Sequence, residues 1–145
     1  MAALSHILVA EDEESDAMLM SMAFRQAGVR NQVVIVCDGR EAVDYLSGAP
    51  PYHDRATHPL PDLLLLDLKM PRMTGFDVLQ WLEAHSEFNG LPAIVISSSS
   101  DVSDMERARD LGAADYLLKP TRFADLVTTV KELQQNWLSF VPTPS

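Results

Sequence analysis

The chain has 145 residues, 47% of them apolar and 22% charged, with a single cysteine and a formal net charge of −10. That length suits one domain able to bury about two-thirds of its unfolded surface without staples, and so acidic a surface disfavours nucleic acid and anionic membranes as partners. Cys37 has no second cysteine to pair with, "MAALSHILVAEDE" lacks the basic start of a signal peptide, and no stretch approaches the ~18 apolar residues of a membrane span, so a cytoplasmic protein is expected.

In chain order, "HILVA" (6–10) predicts a strand that stops at acids. Residues 15–27, "SDAMLMSMAFRQA", predict a helix with Ser15 or Asp16 as N-cap and Gly28 just past its end. "QVVIVC" (32–37) predicts a nearly continuous apolar strand closed by the turn Asp38-Gly39, and "REAVDYL" (40–46) a short helix. Residues 47–61, "SGAPPYHDRATHPLP", hold four prolines and predict a long surface loop. "DLLLLD" (62–67) predicts a strand, and "GFDVLQWLEAH" (75–85) a helix with Phe76, Leu79 and Leu82 or Glu83 at helical spacing. "PAIVIS" (92–97) predicts a strand, "DVSDMERARDLG" (101–112) a helix ended by Gly112, and "DYLLK" (115–119) a strand before Pro120. In "TRFADLVTTVKELQQNWLSF" (121–140), Phe123, Leu126, Val127, Val130, Leu133 and Trp137 form one apolar stripe of a last helix.

Five apolar strands alternating with five helices predict an α/β fold, a doubly wound parallel sheet covered on both faces. One domain over 1–145 is expected, with its core at about 5–140 and a short tail at 141–145. In such sheets the site lies beyond the carboxyl ends of the strands. Glu11 and Asp12 follow the first strand, Asp67 ends the third, Ser97 the fourth, and Lys119 with Pro120 the fifth. Each alone has an ordinary explanation: solvated loop acids, a turn-capping Asp, a polar loop, a loop lysine. Parallel strands bring all of them to one rim.

Clustered carboxylates repel and raise one another's pKa unless a cation intervenes. Two or three carboxylates with a carbonyl suit Mg²⁺. A carboxylate beside such a metal and a lysine is also a candidate nucleophile toward a phosphoryl group, giving an aspartyl phosphate. A hydroxyl such as Ser97 suits a hydrogen bond to one product oxygen.

"ILVAEDE", "DLLLLDLKMPRMTGFDVL", "PAIVISS" and "GAADYLLKP" together resemble the receiver domain of two-component response regulators, over almost the entire chain. The resemblance implies a flavodoxin-like sheet of order 2-1-3-4-5. It implies that Asp67 accepts a phosphoryl group from a histidine kinase or phosphotransfer protein. Asp12, Asp67 and the backbone carbonyl of Lys69 would ligate Mg²⁺, and Glu11 would hold a metal-bound water. Lys119 would pair with the phosphoryl group, Ser97 would move toward it, and Tyr116 would turn inward as the aromatic switch. Glu11 replaces the commoner Asp and Ser97 the commoner Thr. No output domain follows, so a stand-alone receiver acting through protein contacts is expected. Self-phosphorylation and autodephosphorylation would be its only chemistry. The long loop and "NWL" resemble the single-domain regulators paired with bacterial phytochromes.

The resemblance also places kinase docking on the first helix, where Asp16, Leu19 and Met22 are spaced to form a face. Leu19 and Met22 are expected to be partly exposed, although most of Met18, Leu19, Met20, Met22 and Phe24 are expected in the core. A homodimer through the face made by helix 4, strand 5 and helix 5, with Arg107, Asp125 and Lys131, is a further expectation. The four histidines, Trp81 and Trp137 read as surface or packing residues, and Cys37 as a small core residue. Residues 69 and 99, two positions past Asp67 and Ser97, would flank access to the phosphoryl group. A hydrolase built on an aspartyl phosphate would need a second Asp where Lys69 stands, and a flavin or nucleotide binder would need a phosphate loop where "EDEESD" repels phosphate. A degenerate receiver acting only as a binding module remains as the alternative function, against which the complete set Glu11, Asp12, Asp67, Ser97 and Lys119 argues.

Overall fold

The computed structural model describes residues 6–29 and 32–137. Five strands, β1 (His6–Ala10), β2 (Gln32–Val36), β3 (Leu63–Leu66), β4 (Ala93–Ser97) and β5 (Asp115–Leu118), alternate with five helices. These are α1 (Glu14–Gln26), α2 (Gly39–Ser47), α3 (Gly75–Glu83), α4 (Val102–Asp110) and α5 (Phe123–Trp137). The strands are all parallel, in the order β2-β1-β3-β4-β5. This is the doubly wound, flavodoxin-like sheet of order 2-1-3-4-5 expected from the sequence.

The leucine run Leu63–Leu66 forms the centre of this sheet. Alternation sends Leu64 and Leu66 to one face, packed with Tyr45, Val78 and Leu79 from α2 and α3. Leu63 and Leu65 face the other side, against Met20 and Phe24 of α1 and Leu126, Val127, Val130 and Leu133 of α5. All four leucines are fully buried, at roughly 1.5–3 kcal/mol of transfer free energy each. A single-faced strand would alternate apolar with polar; this one is apolar throughout because helices cover both faces.

The alternation continues into the loop after Asp67. Leu68 and Met70 are buried, while Lys69 points to solvent. The loop is therefore anchored by its own apolar side chains. It then closes on Gly75, the first residue of α3, whose N–H donates to Leu68 O at 2.9 Å. A Cβ at Gly75 would meet Asp67 O, and Leu68 Cα at 2.9 Å. Only glycine permits that approach. Thr74 then caps α3 in a capping box with Asp77.

Four local expectations are corrected. α1 begins a residue earlier than expected, with Glu13 as N-cap and no side-chain cap bond, so neither Ser15 nor Asp16 caps it. Of its long apolar residues only Met20 and Phe24 are core; Met18, Leu19 and Met22 are exposed. A helix against one sheet face buries only one stripe, and these three fall off it. Cys37 is exposed rather than core, because β2 is an edge strand paired only with β1. The proline-rich stretch is also more than a surface loop: Arg55 donates to Tyr45 O, Leu46 O and His58 O at 2.8–3.2 Å. It thereby satisfies carbonyls at the end of α2. Residues 138–140 of the last predicted helix and the 141–145 tail lie outside the described residues.

Candidate functional site

The main chain fixes the rim before any side chain is considered. Glu11 N–H donates to Val36 O at 3.0 Å, Asp67 N–H to Ala10 O at 3.1 Å, and Lys119 N–H to Ser97 O at 2.7 Å. Each residue follows directly on its strand yet is held by the neighbouring strand. Parallel direction then brings their side chains to one edge.

Lys119 lies at the centre. Its Nζ is 2.5 Å from Glu11 Oε1, 3.2 Å from Asp16 Oδ2 and 3.3 Å from Asp67 Oδ2. The lysine side chain is 16% exposed and that of Glu11 3%. Burial pushes the Glu11 carboxyl up to about 7; the Lys119 hydrogen bond opposes that and the Asp67 charge adds to it. Burial pulls the Lys119 ammonium down, but its bond to Glu11 and the charges of Asp67 and Glu11 outweigh burial and hold it above the ordinary lysine range. The lysine is thus a permanent cation in a half-dry pocket.

One ammonium does not neutralise the four carboxylates of Glu11, Asp12, Asp16 and Asp67 around it. Glu11, Asp12 and Asp67 each offer an oxygen within 4.8 Å of the others. All three are hard oxygen donors, with no thiolate or imidazole among them, so the cluster fits a hard divalent cation. Lys69 follows in the loop, its N–H 3.4 Å from Asp67 Oδ1.

Ser97 is buried at the end of β4. Its Oγ accepts the N–H of Ser99 at 3.1 Å. Tyr116, half-buried on β5, donates its hydroxyl to Ser99 O at 2.8 Å. Ser99 in turn donates its own hydroxyl to Asp104 Oδ2 on α4 at 2.7 Å. The sequence reading named Ser97, Ser99 and Tyr116 but not Asp104, which no periodicity or motif marks.

A second feature was missed. Asp38, buried ahead of α2, accepts from Glu41 N–H and from the Arg72 guanidinium. Arg72 sits at φ +64° in the loop after Asp67, and Gly39 leaves room for Met73 beside it. This ion pair ties the β2–α2 turn to the loop that carries the site.

On α1, Leu19 is 42% and Met22 46% exposed, with Met18 at 60%, as an open apolar face requires. Asp16, the third residue of that expected face, accepts a hydrogen bond from Lys119. Val102, Leu118 and Phe123 are also exposed, on α4, β5 and α5. Among the described residues, no helix is long and apolar enough to cross a membrane.

Residues 7–131 match the family profile for the response regulator receiver domain. A probable methanogenesis regulatory protein, FilR2, from Methanothrix harundinacea is 33% identical over 95% of this chain and 86% of its own length. The crystal structure of the phosphorylated cyanobacterial phytochrome response regulator RcpA superposes with a TM-score of 0.86 at 33% identity, covering 99% of this chain and all of that one. The Mn²⁺-bound form of the response regulator Rcp1, a protein of Synechocystis, gives a TM-score of 0.82 at 27% identity, covering 97% and 99%.

Proposed function

Since the chain belongs to the response regulator receiver family of two-component signalling, we propose that Asp67 is the phosphoacceptor of this protein. The observation that carries this reading is the Lys119 ammonium held between Glu11 and Asp67 at the carboxyl rim of the sheet. An Asp67 oxygen attacks the phosphorus of a phosphohistidine on a sensor kinase or phosphotransfer protein. The new P–O bond forms as the P–N bond breaks, and the imidazole leaves and takes up a proton. Lys119, within reach of the Asp67 carboxylate, stabilises the charge on the phosphoryl oxygens. Glu11 keeps the lysine aimed at the acceptor.

Mg²⁺, bound by Asp12, Asp67 and the Lys69 carbonyl and through water by Glu11, would neutralise the phosphoryl oxygens. Loss of the phosphoryl group to water would be the only other chemistry. Ser97 and Tyr116 carry the switch, and the output is a change in protein contacts. A single cysteine suits the reducing cytoplasm as the setting for this work. Leu19 and Met22 form the apolar part of the docking face. Asp16, engaged by Lys119, lies where docking face and site meet. The exposed Val102, Leu118 and Phe123 suit a homodimer through α4, β5 and α5 on phosphorylation.

Intact mass after incubation with acetyl phosphate and Mg²⁺ tests the reading. Gain of one phosphoryl group by the wild type but not by Asp67→Asn supports it. No gain, from acetyl phosphate or from a panel of phosphorylated kinases, would leave a degenerate receiver that works by binding alone.

A further inference from the structure

Ser99 bonds to three separate elements at once. Its N–H donates to Ser97 Oγ on β4 at 3.1 Å. Its carbonyl accepts the Tyr116 hydroxyl from β5 at 2.8 Å. Its own hydroxyl accepts the Asp101 N–H at 3.3 Å, at the N-cap of α4, and lies 2.7 Å from Asp104 Oδ2. An ionised carboxylate only accepts and a backbone N–H only donates, so the direction of the last pair is fixed: Ser99 donates to Asp104. A hydrogen bond to a carboxylate is also the strong kind.

Ser97 therefore cannot leave its place without breaking or dragging its bond to Ser99. Ser99 cannot shift without pulling on Asp104, and Asp104 sits in the first turn of α4, a helix with one buried residue, Ala108, and otherwise little grip on the core. α3 and α4 meet through the Arg107 guanidinium over the Phe76 ring at 4.2 Å, on an outer and yielding face. Two hydrogen bonds tie Ser99 to the start of α4, and the shorter is the one from its hydroxyl to Asp104 Oδ2 at 2.7 Å.

We propose that Asp104 is a positioning residue which, through its bond to Ser99, couples the state of Ser97 to α4. The inference rests on Asp67 being the phosphoacceptor. It assigns the transmission step to Ser99, in the loop after β4, and Asp104 on α4. A plain helix-stabilising role for Asp104 is the competitor, since an acid in a first turn favours any helix by its charge.

Four proteins separate the two roles: wild type, Asp104→Ala, Asp104→Asn and Ser99→Ala. Asn loses the charge but keeps an acceptor for Ser99. Ser99→Ala keeps the charge and loses that bond together with the longer one from Asp101 N–H. Each is held with acetyl phosphate and Mg²⁺; intact mass reports the phosphoryl group, and amide exchange over 102–110 reports α4. Wild type is expected to gain the group and change α4 exchange by about threefold or more. Asp104→Ala should gain the group while losing most of that change, Ser99→Ala should lose most of it in the fraction that carries the group, and Asp104→Asn should retain it. The inference is overturned if phosphorylated wild type leaves α4 unchanged, or if Asp104→Ala responds as wild type does. It is equally overturned if Asp104→Asn behaves like Asp104→Ala while Ser99→Ala responds normally, which is the pattern of charge alone. No mass gain in the wild type would remove the phosphoacceptor reading itself, and this inference with it.

Discussion

Lys119 and Asp16 stand 103 positions apart in the chain, and their charged groups lie 3.2 Å apart. Asp16 is thereby a third carboxylate competing for the cation that Asp67 needs. The Asp16 side chain is 38% exposed, so the pair is worth no more than about 1 kcal/mol, a factor of about five. Asp16→Asn is expected to speed phosphorylation by acetyl phosphate about two- to fivefold, within that bound. Intact mass against time reads it. A residue serving only in docking would leave this small-donor rate unchanged and slow transfer from a kinase alone.

Gly75 sets how close α3 comes to the acceptor. A methyl there would strike the main chain of Asp67 and Leu68, with Leu68 Cα at 2.9 Å, and neither backbone group can swing aside. Gly75→Ala is expected to cost about 1–3 kcal/mol of stability and to displace Asp67. The urea midpoint should fall, and phosphorylation should fall with it in protein that remains folded. An unchanged midpoint would show that the α3 entry yields more readily than its packing indicates.

The parts that could be read from sequence are those written in local pattern. Leu63–Leu66 announces a strand covered on both faces, and parallel strands then carry Glu11, Asp67 and Lys119 to one rim although 52 and 108 positions separate Lys119 from the other two. Edge position has no such pattern. Val33, Val34 and Ile35 read as interior, yet they are only half-buried because β2 pairs on one side, and Cys37 follows them into solvent. Side-chain pairs across turns are equally silent. Asp38 and Arg72 meet over 34 positions, and Asp104 reaches Ser99 through a loop geometry that residue types do not encode.

Burial alone would raise the Asp38 carboxyl; the Glu41 N–H and the Arg72 guanidinium outweigh it and hold the group below its ordinary 3.8. A carboxyl depressed in the folded state contributes stability above its unfolded pKa and loses it as pH falls through the folded value. The wild-type contribution therefore persists to below about pH 4. In Arg72→Ala burial is left with less opposition and the folded pKa rises toward the unfolded one, so the variant should be less stable at neutral pH and its gap to the wild type should close as pH falls below about 4. Urea midpoints measured from neutral pH downward check this; superimposable curves for the two proteins would show that Arg72 does not stabilise the Asp38 charge.

The acidic cluster predicts a stabilising response to divalent cations. A ligand that binds only the folded state at about 100 times its Kd adds about 2.7 kcal/mol, so Mg²⁺ titration should raise the thermal midpoint and chelation should reverse it. Asp12→Ala removes one of the three oxygens that lie within 4.8 Å and is expected to abolish most of the shift. The same shift in Asp12→Ala would move the cation elsewhere.

Arg55 makes the proline-rich segment part of the fold. Its guanidinium donates to Tyr45 O, Leu46 O and His58 O, while the Tyr45 hydroxyl donates to Pro59 O at 2.9 Å and Tyr52 donates to Glu41 Oε1 at 2.8 Å. Without the guanidinium, Tyr45 O keeps only the Gly48 N–H at 3.3 Å, and Leu46 O would need water beside Tyr45, Tyr52 and His58, whose rings pack within 5.0–5.9 Å. Arg55→Ala strips three bonds from one side chain and is expected to cost about 1–3 kcal/mol. The loss should be local: limited proteolysis should cut between residues 49 and 61 faster than in the wild type, because the backbone there loses its tie to α2. Phosphorylation of Asp67, at the opposite end of β3 from this segment, should proceed as before. A variant that resists proteolysis as the wild type does would mean that the aromatic packing holds the segment without Arg55.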